Sequence, residues 1–475
     1  MVTSVPAPEV ASAPPAKRGL ELIMLAFAAI VVTTALVLVE LNQQHEVTRG
    51  LLYYGAAYLA LFGAAHIAVR LLAPYADPLI LPCVALLNGL GLVFIHRLDL
   101  ARATVAESAG KPTPIGNVPY QIAWTALAVG LFVAVLVLVT DHRTLARYGY
   151  TSGLVGLGLL ALPGVLPSAV SEVNGAKIWL RFGGLGIQPG EFAKIFLMIF
   201  VAAFLVAKRD LFTTAGRRVL GMELPRARDL APLLMAWGFS LGVLVLEKDL
   251  GTSLLFFGIV LVLIYIATER IAWLVLGLIF FVGGAMAAGM LFEHVHSRVA
   301  AWLNPFSDYG GAGYQMAQSL FGLGTGGVFG TGLGAGRPDL VPEAHTDFIT
   351  AAIGEELGFV GLAAVLFTYL LVVMRGMRTA LTVRDTFGKL LAAGLSFAVG
   401  WQVFIVVGGV TKLIPLTGLT APFLSYGGSS LLANYILVAL LLRISHAARV
   451  PAGPPAPRKP VAPLAEAHTE MVPRS

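Results

Sequence analysis

The chain reads as an all-α, polytopic integral membrane protein of about twelve transmembrane helices. Three observations carry that reading. Hydrophobic residues make up 57% of the 475 and charged residues only 12%, with a mean hydropathy of +0.83, where an ordinary soluble domain is about 25% charged. Apolar stretches of bilayer-spanning length, about 20 residues, recur along the chain. Basic residues are unevenly shared among the connections between those stretches, the mark of an insertion bias.

Taken in order, residues 1–18 are Pro/Ala-rich, end in Lys17-Arg18, and are expected to form a disordered tail. The first apolar run, Leu20 to Val39, is too long for a signal-peptide core and has no small-residue cleavage site after it, so it predicts a retained helix. Spans follow near 51–73, 78–96, 121–140, 148–168, 190–207, 230–247, 251–267, 271–291, 348–374, 389–411 and 429–444. The pair around 230–267 is parted only by Lys248-Asp249-Leu250. Residues 450–475 are again Pro/Ala-rich and read as a second disordered tail.

With the N-terminus inside, 21 of the 32 basic residues fall in cytoplasmic connections and 11 elsewhere. That predicts both termini cytoplasmic and places the 169–190, 292–347 and 412–428 connections on the extracytoplasmic face. The +6 charge is explained by the same bias, and nucleic-acid binding is set aside. The single Cys83 lies in an apolar run, so no disulfide or cysteine metal site is expected. No inverted repeat, Walker-type phosphate loop or βαβ context for the glycines of 322–336 is present. Those glycines read either as tight packing of a loop against helices or as a cradle for substrate.

The large 292–347 connection holds Trp302, Pro305, Gly313-Tyr314-Gln315 and the glycine run, and ends in Pro342-Glu343-Ala344-His345-Thr346-Asp347-Phe348 at the start of the tenth span. A carboxylate at that lip is costly unless used. Asp347, with Glu343 and His345 within a turn, is either a helix cap favoured by the dipole or a general base whose proton affinity is raised by burial. Asp249, after Glu247-Lys248, either pairs with Lys248 or lines an outward cavity with it. Lys177 and Lys412 are isolated outward cations that either snorkel or bind phosphate. Glu191 and Lys194 stand i,i+3 at the start of the sixth span and read as a self-satisfied pair. The break Pro422 to Ser430, with Ser425 and Ser429, is non-helical backbone at membrane depth and is expected to wall the same cavity.

These stretches, as ordered motifs, resemble the SEDS family (shape, elongation, division and sporulation), its RodA-like branch more than its FtsW-like branch. The resemblance rests on Asn174 to Trp179, Gln188-Pro189-Gly190-Glu191, Glu247 to Thr252, Gly313-Tyr314-Gln315 with Gln318-Ser319, Pro342 to Phe348 with Gly354 to Gly358, and Pro415 to Gly418 running into Pro422 to Ser430. It covers roughly residues 78–449, a core of ten spans, and leaves two extra N-terminal helices within 19–77. It implies an inverting glycosyltransferase that polymerises lipid II into peptidoglycan strands at the outer face of the cytoplasmic membrane during elongation and shape maintenance. It also implies a class B penicillin-binding protein, a transpeptidase, as partner. The family's essential aspartate matches Asp347. Lys177, where the family commonly has Arg, joins Lys248 and Lys412 as candidate diphosphate contacts. Glu191, Asp249, Trp302, Gln315, Glu343, His345, Ser425 and Ser429 complete the candidate substrate-binding set. No compact carboxylate cluster argues for a dedicated metal site, and help from a divalent cation (Mg or Mn) is left open. Two other functions remain as alternatives, a lipid II flippase and a non-catalytic scaffold that activates a penicillin-binding protein.

Overall fold

A computed structural model describes residues 17–451 apart from 45, 174, 183–184, 209–216, 220–221, 225–226 and 312. The expected tails lie almost wholly outside those residues, as does Asn174. Every predicted apolar segment is a helix, because a lipid-facing segment must satisfy its backbone groups within itself. They are α1 (Arg18–Gln44), α2 (Arg49–Leu72), α3 (Ile80–Ser108), α4 (Asn117–Leu138), α5 (Gly149–Val165), α6 (Pro189–Ala207), α7 (Ala227–Leu246), α8 (Leu250–Thr268) and α9 (Ala272–Leu291). After two shorter helices, α10 (Glu293–Leu303) and α11 (Tyr314–Gly326), come α12 (Ile349–Thr382), α13 (Thr386–Val410) and α14 (Gly428–Arg449). Among the described residues nine helices are long and apolar enough to cross a membrane, and α5, α7 and α9 contribute shorter apolar helices. The fold is a polytopic all-α membrane fold.

The structure departs from expectation inside the large connection, which contains α10 and α11 rather than loop throughout. The 169–188 connection folds into two small hairpins, β1 (Glu172–Val173) with β2 (Ala176–Lys177) and β3 (Leu180–Phe182) with β4 (Leu185–Ile187). A third pair, β5 (Arg217–Val219) and β6 (Met222–Leu224), lies between α6 and α7.

The centre of the bundle is α3, α13 and α14, whose side chains are mostly buried, with α1 and α2 packed on α3 and α4 at the periphery. α5 lies along α6 through Gly149, Gly153 and Gly156, where an added Cβ would stand 2.6 Å from Ala203 and 2.8 Å from Phe200 and Leu197. Small residues let the two backbones approach where no hydrophobic driving force exists between lipid-immersed helices.

α12 is broken at Gly358, with φ 67° and ψ −169°. The glycine run fills the break: Phe359 N–H donates to Gly327 at 2.9 Å and Val360 N–H to Val328 at 3.1 Å, while Thr331 and Gly332 N–H donate to Glu355 and Glu356 carbonyls at 3.0 Å. A Cβ on Gly330 (φ +81°) would stand 2.2 Å from the Glu356 carbonyl. Of the two sequence readings of these glycines, tight packing is the one the contacts describe. Beneath them Arg97 of α3 donates to Glu356 Oε1 at 2.8 Å and to the Gly336 carbonyl at 2.7 Å, a fully buried pair whose Glu356 Oε2 also accepts the Gly334 N–H at 3.0 Å, while Arg97 Nη1 is left without a partner.

Candidate active site

α4, α6, α8, α12 and α14 all begin at one cavity of about 710 Å³, which Asn117, Gln188, Asp249, Asp347 and Gly427 help to line. Each helix start points a partial positive charge at the space between them; Asp99 takes the Val118 N–H of α4 at 3.0 Å and Asp249 the Thr252 N–H of α8 at 2.9 Å, and the convergence of five dipoles still favours negative charge there. The segments 173–188, 298–347 and 417–430 supply most of the remaining wall.

Asp347 is held in place by backbone clamps that follow from the Pro422–Ser430 break. Ser425 Oγ donates to the Thr346 carbonyl at 2.5 Å and accepts from the Ala421 N–H at 2.9 Å, and the Tyr426 N–H donates to the His345 carbonyl at 2.8 Å. Val341, Ala344, Phe348, Leu98, Ala351 and Val410 form an apolar floor beneath. The carboxylate accepts the Thr346 hydroxyl at 2.5 Å. Burial pushes its pKa above the ordinary carboxylate range, and the Thr346 hydroxyl and the Arg298 charge pull part of the way back. A raised carboxyl that still keeps an acceptor oxygen toward a cavity can take a proton from a substrate hydroxyl.

Arg298 is the residue that sequence reasoning missed. It lies on α10 and donates to the Leu416 and Thr417 carbonyls, both at 3.1 Å, and it lines the main cavity. Trp302, one turn on, donates to the Lys412 carbonyl at 3.0 Å, so the two side chains clip the 412–417 backbone to α10. Arg298, Trp302, Gln315 and Asp347 also line an adjoining cavity of about 210 Å³. The available signal is a lone Arg four residues before Trp302, the spacing of one helix face within a connection whose sequence predicts loop.

Asp249 caps α8 by accepting the Thr252 N–H at 2.9 Å and takes the Gln188 side-chain amide at 3.4 Å. Burial raises its pKa too, against the Thr252 hydrogen bonds. Lys248, exposed and at φ 65°, lines the cavity beside it. Glu191 receives Lys194 Nζ at 2.6 Å, and Lys194 also donates to Gln402 at 3.2 Å, so this pair is formed while its carboxylate still faces the cavity. Ser429 Oγ accepts the Gln188 N–H at 2.8 Å. Gln315 and Glu343 complete the predicted residues on the wall.

Trp302 lines only the smaller cavity, and four predicted residues line neither. Lys177 is at the end of β2, between the lining residues Ala176 and Ile178, and Lys412 (φ 63°) is a turn residue whose carbonyl serves Trp302. Ser425 is buried in the clamp described above. His345 is buried against the Tyr426 ring with Nδ1 2.9 Å from Arg102, and burial and then that guanidinium press its pKa down to about 4. Among the described residues no three His, Cys, Asp or Glu side chains are grouped to hold a metal ion.

Fold and site together define a membrane-embedded enzyme, a helix bundle in which a cavity joins a converging set of helix ends to a half-buried carboxylate. The chain belongs to the FtsW, RodA and SpoVE family: residues 77–450 match that family, described as "Cell cycle protein". It is 57% identical over 475 residues, the whole of both chains, to "Peptidoglycan glycosyltransferase RodA" of Mycobacterium tuberculosis. It is 35% identical over 327 residues to "Stage V sporulation protein E" of Bacillus subtilis, covering 68% of this chain and 85% of that one. Among solved structures it resembles a chain from "Structural coordination of polymerization and crosslinking by a peptidoglycan synthase complex", with TM-score 0.60, 26% identity and coverage of 78% of this chain and 98% of that one. The Thermus thermophilus rod shape determining protein RodA follows at TM-score 0.52, 26% identity and coverage of 78% and 96%.

Proposed function

We propose that this chain is a peptidoglycan glycosyltransferase that polymerises lipid II with Asp347 as general base. The observation that carries the assignment is the position of Asp347, a half-buried carboxyl on the wall of both cavities, with Arg298 on the same walls. Two cavities sharing one base suit a reaction between two lipid-linked sugars. Asp347 takes the proton of the acceptor's 4-hydroxyl as that oxygen bonds to the donor's anomeric carbon. The bond from that carbon to the diphosphate breaks on the opposite face, which inverts the centre. The departing diphosphate carries the electron pair into the field of the helix N-termini, with Arg298 and Lys248 on the same wall. The cavity opens to the extracytoplasmic face with both termini inside, as the basic-residue bias supports. A class B penicillin-binding protein that cross-links the strands is the partner. The family and the name of the full-length relative support the transfer and the link to cell elongation.

The test is strand formation from fluorescent lipid II by the purified protein in detergent, with and without a class B penicillin-binding protein. Detergent removes any need for flipping. Wild type is expected to make long strands and Asp347→Asn, nearly isosteric but without the base, to make none. Normal strand growth by Asp347→Asn sinks the assignment.

A further inference from the structure

A second cavity, of about 550 Å³, lies at the other end of the bundle. α12 and α14 begin at the main cavity and end here: Arg375, Arg378 and Thr382 come from the last turns of α12, and Ala448 and Arg449 from the end of α14. Lys17 and Leu20 enter from the start of α1, and Pro78 and Leu79 from the turn into α3.

Its charge is one-sided. Lys17, Arg375, Arg378 and Arg449 line it, four cations. The carboxylate facing them is Asp77, fully buried, which accepts Arg375 Nε at 2.7 Å and Arg449 Nη2. It is further fixed by the Leu79 N–H at 2.9 Å, and its own N–H donates to Ser445 Oγ at 3.1 Å. Four cations less one carboxylate leave three positive charges in excess. Neighbouring Arg18 adds none, since it is paired with Glu21. Asp77 takes one nitrogen from each of two guanidiniums and aligns them, leaving the other nitrogens for a ligand. That is a preformed site for an oxyanion with two or three accepting oxygens.

The lining also includes apolar Leu20, Leu79 and Ala448, and Leu20 is 46% exposed on α1. A free phosphate would leave those apolar side chains unused. A glycerophospholipid uses both, its phosphate on the arginines and its glycerol and first acyl carbons on the leucines. We propose that this cavity holds the headgroup of an anionic phospholipid from the leaflet opposite the main cavity. The site is independent of the glycosyltransferase reading and stands or falls separately from it.

The test titrates the full-length protein in detergent with phosphatidylglycerol, with phosphatidylcholine and with inorganic phosphate, reading the unfolding temperature. Lys17→Gln/Arg378→Gln removes the two cations that do not hold Asp77. Arg147→Gln/Arg384→Gln removes the same charge at the same end of the bundle, outside the cavity. The expected result is saturable stabilisation by phosphatidylglycerol alone, weakened about 30-fold in the first double variant and unchanged in the second, taking each cation at about fivefold. The lipid-free unfolding temperature of each variant checks the fold, and either single variant, at about fivefold, replaces a double that does not purify. Equal weakening in both doubles, equal stabilisation by inorganic phosphate, or no preference for the anionic lipid overturns the proposal.

Discussion

The Glu191–Lys194 pair allows a quantitative test of what the cavity asks of its wall. The two groups meet at 2.6 Å, with side chains 8% and 1% exposed, and Lys194 has one further acceptor, Gln402 Oε1 at 3.2 Å. Glu191→Gln replaces the carboxylate by an amide and leaves a sealed ammonium facing neutral oxygens, which costs about 3–5 kcal/mol. Lys194→Met costs less, because the stranded carboxylate faces the cavity and is partly solvated there. The double variant removes both charges at similar volume and returns to within about 1 kcal/mol of wild type, so the cycle gives a coupling of about 3 kcal/mol or more. Midpoints of reversible unfolding by a denaturing detergent, measured for all four proteins, supply the cycle. Strand formation by the double variant then says whether Glu191 also serves substrate. If Glu191→Gln is as stable as the double variant, the pair is not the buried, mutually dependent unit described here.

Two further outcomes follow from the geometry. Asp347 must be ionised to act, and its pKa lies above the 3.8 of a free aspartate, so polymerisation falls off on the acid side at higher pH than an exposed carboxylate would allow. Arg298 favours the ionised form; Arg298→Ala is expected to move that acid limb to still higher pH, and a limb that stays put refutes the electrostatic link. Gly330→Ala drives a Cβ into the Glu356 carbonyl at a positive φ and is expected to cost more than about 3 kcal/mol, whereas Gly324→Ala, in α11 with nothing within 4 Å, is expected to gain about 0.5–1 kcal/mol. Folded yield and unfolding midpoint separate the two.

The spans were legible because the bilayer imposes length and polarity residue by residue: α8 begins at Leu250 and ends at Thr268, against an expected 251–267. The helices of the large connection were not. α11 contains Gly322, Gly324 and Gly326, each a local argument against helix, and what holds it is the approach of Gly326 to the Gly354 carbonyl on α12, a partner remote in sequence. Asp347 was visible from its place at a helix start. Arg298 was hidden because its partners, Leu416 and Thr417, are 118 and 119 residues away. Lys177 and Lys412 drew notice as isolated charges, yet isolation in sequence does not say which way a turn directs a side chain. Ser425 was expected on the wall in the same way and is buried instead: its hydroxyl spans two backbone segments and positions Asp347 through Thr346, a service no local pattern announces.

The α1–α2 hairpin lies outside the family match, and its grip on the rest is of an unusual kind. At one end Asn42 and Gln43 donate to the Leu333 and Gly334 carbonyls of the glycine run; at the other Arg18 donates to the Ala76 carbonyl. Those three attachments read backbone and not side chains. A brace fastened that way across the thickness of the membrane reads the chain path, and at Gly334 it also requires glycine, since φ is +80° and an added Cβ would stand 3.0 Å from Asn42 Cβ and 3.3 Å from the Val39 carbonyl. A side-chain change at Leu333 leaves its carbonyl where Asn42 needs it, whereas a one-residue insertion, which shifts the carbonyls, would detach the hairpin.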